Sequence, residues 1–198
     1  MKISVSKGNS KMGAIPSVSL PPVVTCAKGC PCAKKCYAMK LCRIYPSVRK
    51  AYQRNLDILT ADPVSYWEQV SEQMKMTRFF RFHVSGDIVS YMYFSMLVGA
   101  VEKNPHCETL VFTKRFDIVN RWIDDNGELP ENLHLIFSDW IGLDVPNPHK
   151  LPLAHVIFKG EEPHDDWKIC GGNCSECACR GVGCWELKRG EHIAFYEH

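Results

Sequence analysis

With 198 residues and a hydrophobic content of 45%, the chain is long enough for one substantial core and too apolar to be disordered. No run of about 18 apolar residues exists, which excludes a membrane-spanning helix, and residues 1–20 lack the continuous apolar core of a secretory signal. The net charge of +2 conceals an asymmetry: residues 1–56 carry eleven Lys/Arg and no Asp or Glu, while the remainder carries thirteen basic and twenty-two acidic residues.

The opening Ser6-Lys7-Gly8-Asn9-Ser10-Lys11 is small, polar and basic, and reads as a loop. Short β-branched or aromatic runs then recur at Pro22–Thr25, Phe79–Val84, Thr109–Thr113, Leu133–Phe137, His155–Phe158 and Ile193–Tyr196, each of a length suited to a buried strand. Helical patterns separate the earlier runs. Val48, Tyr52, Leu56 and Leu59 repeat at helical spacing. Asp62-Pro63 reads as a cap and first-turn proline ahead of Trp67, Val70 and Met74. Residues 88–103 are apolar enough for a largely buried helix. Phe116, Val119 and Ile123 mark another, stopped near Gly127 and Pro130. Strands alternating with helices predict an α/β fold of parallel βα units, as an incomplete (βα)6 barrel or an open parallel sheet. The expected division is an α/β domain over residues 1–165 and a cysteine-rich tail with the last strand over 166–198.

Parallel α/β folds place ligands at the carboxyl ends of their strands. The predicted ends are Thr25-Cys26, His83 to Asp87, Thr113-Lys114-Arg115, Ser138-Asp139-Trp140 and Lys159-Gly160-Glu161. All five bring polar or ligand-type residues to one face. His134 and His155 fall inside apolar runs and read as packed, satisfied side chains. Trp67 and Trp122 read as core. Lys114-Arg115 reads first as a surface pair, kept as a candidate by its strand-end position.

The eleven cysteines are grouped: five lie between Cys26 and Cys42, five between Cys170 and Cys184, and Cys107 stands alone. Without an export signal, disulfides are not expected, and dense spacing points instead to metal or cluster ligation. The first group runs Cys26-Ala-Lys-Gly-Cys30-Pro-Cys32-Ala-Lys-Lys-Cys36-Tyr37-Ala38. It lacks the paired Cys-x2-Cys knuckles typical of zinc, which favours an iron–sulfur cluster held by thiolates over zinc. The second group, Cys170, Cys174, Cys177 and Cys184, with Cys179 between, offers four ligands among glycines that permit tight backbone approach. It suits a second cluster or a structural zinc. The basic first quarter, residues 1–56, is free to attract nucleic acid, to offset thiolate charge, or to act as a solvated face.

The stretches Ser6 to Lys11, Thr25 to Ala38, His83-Val84-Ser85-Gly86-Asp87, Phe112-Thr113-Lys114 and Cys184-Trp185 resemble the "gene 88 product" family of bacteriophages over nearly the whole chain. That resemblance implies a protein of the host-cell cytoplasm. The cysteine loop ending Cys36-Tyr37-Ala38 more distantly resembles the cluster loop of radical S-adenosylmethionine enzymes. This second resemblance implies that Cys26, Cys32 and Cys36 hold a 4Fe-4S cluster whose open iron chelates S-adenosylmethionine. It also implies that Ser85, Gly86 and Asp87 hold the cofactor amine, and that a carbon radical takes hydrogen from a substrate of unspecified class. Lys114 or His83 then binds a carboxylate or the substrate, with Asp139 at the same site. The spacing departs from the usual Cys-x3-Cys-x2-Cys of those enzymes, and Cys30 is left as a spare or fourth ligand. The competing expectation is a non-enzymatic cluster or zinc protein that binds nucleic acid through residues 1–56.

Overall fold

The computed structural model describes residues 1–197. The strands are β1 (Val5–Ser6), β2 (Ser17–Val18), β3 (Phe79–Phe82), β4 (Glu108–Thr113), β5 (Leu133–Ser138), β6 (Leu153–Ile157), β7 (Lys168–Ile169) and β8 (His192–Tyr196). The helices are α1 (Tyr37–Ile44), α2 (Pro46–Ala61), α3 (Pro63–Lys75), α4 (Tyr91–Glu102), α5 (Phe116–Asn126) and α6 (Cys174–Arg180), with 3-10 turns at Pro31–Lys35 and Gly183–Trp185.

The strands form one sheet in the order β1-β2-β3-β4-β5-β6-β8-β7. Only β1 runs antiparallel to its neighbour. The order has two ends, β1 and β7, so among the described residues the hydrogen-bonded sheet is open. No helix is long and apolar enough to cross a membrane.

Helix boundaries follow local chemistry. Asp62 ends α2 and caps α3, its carboxylate accepting from Ser65 N at 3.0 Å, with Pro63 in the first turn where a missing N–H costs nothing. Ser90 caps α4 by accepting from Tyr93 N at 3.1 Å. Gly127, at φ 90°, ends α5 in a conformation that a side chain would resist.

Period-two alternation gives the sheet two apolar faces. Phe80, Phe82, Val111, Leu135 and Phe137 are buried beneath α2–α5, with Tyr66, Trp67, Phe94, Val119 and Trp122 in the same cluster. A buried side chain of this size is worth about 1.5–3 kcal/mol by transfer, so this layer dominates the stability. The opposite face carries Phe79, Leu110, Phe112, Ile136, Ile193 and Phe195. It is covered by the cysteine-rich segment, through Ala178, Cys184 and Trp185. Residues 166–197 thus supply both a cover for that face and two strands, β7 and β8, of the common sheet.

One predicted strand is absent. Pro22–Thr25 forms turns, and the strand leading to the cysteine loop is Ser17–Val18. Proline has no N–H for a ladder, and Val23 sits at φ 68°, where no strand can continue. The opening loop also differs: Val5–Ser6 pairs with Ser17–Val18 at the edge of the sheet.

Candidate functional site

The first cysteine group lies on the loop between β2 and α1, where the chain leaves the carboxyl end of β2. Three residues after β3 hold that loop. Leu20 N donates to Ser85 O at 3.0 Å, and Ser85 Oγ donates to Leu20 O at 3.0 Å. Gly86, at φ 79°, lies against the same segment: a Cβ there would stand 2.6 Å from Thr25 Oγ1 and 2.9 Å from Leu20 O. Only glycine fits both the angle and the space. Thr25 Oγ1 in turn donates to Pro21 O at 2.7 Å.

Asp87 ties the third strand end in. Its Oδ1 accepts from Ile88 N at 2.8 Å and Thr113 Oγ1 at 2.5 Å, and its Oδ2 accepts from Lys114 N at 2.9 Å. The carboxyl is buried, and burial pushes its pKa up while these three donors and the nearby Lys114 ammonium pull it down. Most of its acceptor capacity is therefore spent within the chain. Lys114 is half-buried. Its Nζ donates to Ser138 Oγ at 2.6 Å and lies 5.9 Å from the centre of the Trp140 ring. It is not a surface pair with Arg115, which is half-buried and donates to Ile88 O and to Asp117.

The thiols of the first group are electrostatic neighbours of these residues. Burial pushes Cys26 up to about 11, against the N–H of Val23 that its sulfur accepts at 3.3 Å, with Asp87, Cys36 and Cys30 raising it further. Burial pushes Cys32 up to about 12, with Cys30 adding to the rise and Lys114 opposing it. Cys30 Sγ and Cys32 Sγ stand 2.9 Å apart. Two thiolates on one tetrahedral metal stand roughly 3.8 Å apart, by the usual Zn–S length. As they stand, therefore, the two do not both serve one metal. Cys30 is the buried member, which leaves Cys32, beside Lys114, as the available one. Cys42 and Cys107 are buried apart, on α1 and ahead of β4.

The second group packs on the face of the sheet opposite α2–α5. Asn173 caps α6 by accepting from Glu176 N at 3.3 Å, and Gly181 ends it at φ 59°. Cys170 Sγ accepts from Gly172 N at 3.4 Å, and Cys174 Sγ accepts from Arg81 Nη1 at 3.2 Å. Backbone at Gly171 and Gly183 closes on Cys177 Sγ, at 3.6 Å from the position a Cβ would take at either glycine. Burial pushes Cys184 up to about 12, with Cys170, Cys174 and Cys177 adding to it and Arg81 opposing. The four thiols are thus electrostatic neighbours. Among the described residues, however, no group of three or more His, Cys, Asp or Glu is set in a metal-holding arrangement. Protonated thiols have no reason to adopt ligand geometry, since metal must first displace their protons.

Two other candidates have contacts of their own. Asp139 accepts from Trp140 N at 2.6 Å and faces His155, with Oδ2 to Nδ1 at 3.0 Å; His155 Nε2 is in turn 2.8 Å from His192 Nδ1. His155 also stacks on Trp167 at 4.0 Å. His83 is buried, with Nε2 2.9 Å from Tyr93 Oη, so its ring belongs to the core beneath α4 and does not line a substrate site. His134 is paired with Glu108 at 2.7 Å. A cavity of about 410 Å³ lies at the carboxyl ends of β6 and β8, lined by Phe158, Lys159, Gly160, Glu161, Tyr196 and Glu197.

Sequence reasoning missed Arg81, which hydrogen-bonds Cys174 of the second group and whose charge also acts on Cys184 and on Tyr37. An arginine alternating with phenylalanines in Phe79–Phe82 was the available signal, since a charge inside a buried strand needs a partner. It also missed His192, whose partner His155 lies 37 residues away in the chain.

The family described as Gene product 88 matches the chain over residues 2–177. No curated protein and no solved structure matches it.

Proposed function

We propose that this chain, which belongs to the Gene product 88 family, is an iron–sulfur protein whose working centre is the Cys26–Cys36 loop, built on the pattern of radical S-adenosylmethionine enzymes. The observation that carries the reading is positional. The thiols emerge from a parallel strand at its carboxyl end, where such sheets place their ligands, and they meet Asp87 and Lys114 from the next two strands.

In this reading Cys26, Cys32 and Cys36 hold the cluster, and Cys30 is the spare thiol. When bound there, a cluster with one iron free of protein supplies one-electron chemistry to a small-molecule ligand. The chain's own residues do the rest. Ser85 and Gly86 fix the loop against Leu20 and Thr25. Asp87 clamps the turn after β3 to the end of β4 and keeps a negative charge beside Cys26. The Lys114 ammonium offsets thiolate charge at Cys32. The second group, Cys170, Cys174, Cys177 and Cys184, holds a further cluster or zinc and fastens the C-terminal segment to the sheet.

The test is metal and acid-labile sulfide analysis of protein purified without oxygen, followed by electron paramagnetic resonance before and after adding S-adenosylmethionine. Iron with inorganic sulfide, and a spectrum altered by the sulfonium, are the expected results. Stoichiometric zinc with no iron after anaerobic reconstitution overturns the cluster reading, and an unchanged spectrum overturns the S-adenosylmethionine part of it.

A further inference from the structure

Helix α1 carries large apolar side chains outward. Tyr37, Leu41 and Ile44 recur at helical spacing, and with Tyr45, which ends the helix, they are 37–55% exposed. The buried pair, Ala38 and Cys42, lies about a third of a turn around the axis from this stripe, and Lys40 and Arg43 lie to its other side. The helix is fixed at its first turn. Cys36 is its N-cap residue, and the Tyr37 hydroxyl donates to Val84 O, just past β3. The stripe thus starts beside a thiol of the first group and ends about 10 Å further along the axis. At the entrance to the cysteine loop, Val24 is also 77% exposed.

The charges of this segment are all of one sign. Lys28, Lys34, Lys40, Arg43, Arg49 and Lys50 are exposed, and none of them forms an ion pair among the described residues. Lys35 pairs with Glu197 at 2.6 Å. Residues 1–56 contain no Asp or Glu, so the segment has no acid of its own to answer these cations. Exposed apolar side chains with aromatic anchors among polar groups have the make-up of a protein interface.

We propose that α1 and the Cys26–Cys36 loop dock an acidic one-electron carrier protein, with its apolar side chains on Tyr37, Leu41 and Ile44 and its carboxylates around Lys34, Lys40 and Arg43. The inference rests on the proposed function for its purpose: a centre that hands an electron to a ligand must receive one from outside. One electron leaves the carrier's flavin or iron, which is oxidised, and enters the iron held by the loop, which is reduced; no bond forms or breaks. Complementary charge steers the carrier to this face, and the apolar stripe seats it beside Cys36. Leu41 and Ile44 offer phosphate no donor and a base no ring, so the stripe suits a protein better than a nucleic acid. A second copy docked face to face would set the same cations against each other.

The test uses the full chain, both metal-free and anaerobically loaded, with two acidic carriers as probes, a flavodoxin and a plant-type ferredoxin. Calorimetry should show saturable binding of at least one carrier in both metal states, weakening as salt rises. In stopped flow, the loaded chain should reoxidise the pre-reduced carrier. Lys40→Glu combined with Arg43→Glu should weaken binding roughly tenfold. Ile44→Ser should weaken it without changing its salt dependence. Lys103→Glu, an exposed charge at the end of α4, should leave it unchanged. All of these positions are exposed, and circular dichroism checks that each variant keeps the fold. No binding of either carrier in either metal state overturns the proposal. So does binding that Lys103→Glu weakens as much as the α1 variants do, because net charge alone then explains it. Binding without reoxidation by the iron-loaded chain overturns the electron-carrier assignment. Binding of an oligothymidylate or of phosphatidylglycerol vesicles through α1, with neither carrier bound, gives the face to a nucleic acid or a membrane and also overturns it. Iron is assayed separately: a chain that takes up no iron but binds a carrier through α1 refutes the cluster and keeps the docking face, and iron without carrier binding does the reverse.

Discussion

Leu20 and Ser85 exchange two hydrogen bonds, Leu20 N to Ser85 O and Ser85 Oγ to Leu20 O, both at 3.0 Å. This exchange extends the pairing of β2 and β3 beyond the strands themselves, to the point where the cysteine loop begins. The Ser85-Gly86-Asp87 turn is therefore a buttress for the loop as much as a surface in the site.

The buttress makes Gly86→Ala informative. A methyl group at φ 79°, 2.6 Å from Thr25 Oγ1, must displace the loop or strain the turn, at a cost of roughly 1–3 kcal/mol. The expected outcome is a lower melting temperature together with weakened iron uptake by the first group. Normal uptake with an unchanged melting temperature would show that the turn does not position the loop.

Cys26→Ala, Cys32→Ala and Cys36→Ala should each abolish the iron and sulfide assigned to the first group. Cys107→Ala should leave both unchanged, because that thiol is buried ahead of β4 and away from either group. Cys30→Ala should have little effect, because Cys30 and Cys32 at 2.9 Å cannot both serve as ligands where they stand. Quantitative iron and sulfide assays on each variant decide the matter, and loss of iron in Cys30→Ala with retention in Cys32→Ala reverses the assignment.

Strong local signals made much of the fold legible. Asp62-Pro63 and Gly127 marked real helix ends, and the five runs at Phe79, Thr109, Leu133, His155 and Ile193 each overlap a strand, with Phe79–Val84 and His155–Phe158 running past its end. Ser17–Val18 escaped notice because two residues carry no periodicity, while the more strand-like Pro22–Thr25 lacks donors and contains a left-handed valine. Helix α6 was marked only by Asn173-x-x-Glu176 and Gly181, a cap at each end with cysteines between. At the candidate site, Cys26, Asp87 and Lys114 could be grouped by the rule of strand ends. The turn of Asp139 toward His155 could not, because it depends on a side chain one strand away.

Stability should fall on acidification through a group outside the site. Burial holds His83 down at about 3, from an ordinary value of 6.5. Between those values the unfolded chain binds a proton that the folded chain refuses, so stability drops as pH falls, by up to about 1.4 kcal/mol per pH unit. His155, lowered chiefly by burial, acts in the same direction. Asp87, raised above 3.8 by burial, acts in the opposite direction above that value. His83→Asn keeps a residue that tolerates φ 56° and removes the titration. Its denaturation midpoint should depend less steeply on pH between about 6.5 and 4. A slope equal to that of the unaltered chain would count against His83 as the source.

The second cysteine group should behave as a fastener. Its segment puts Cys184 and Trp185 in the apolar cluster on the cysteine side of the sheet, with Trp185 edge-on to Phe79 at 5.3 Å and donating from Nε1 to Cys174 O at 3.3 Å. The glycines around Cys177 contribute no side-chain burial, so a metal held by Cys170, Cys174, Cys177 and Cys184 supplies folding free energy that packing there does not. Cys177→Ser should remove one metal centre and lower the melting temperature, while Cys179→Ser, at an exposed position, should do neither. Chelator added to the unaltered chain should reproduce the Cys177→Ser melting curve and add nothing to the variant's own. If the variant melts as the unaltered chain does, with its metal content intact, the four thiols are not a metal site and the segment is held by Trp185 and its apolar neighbours alone.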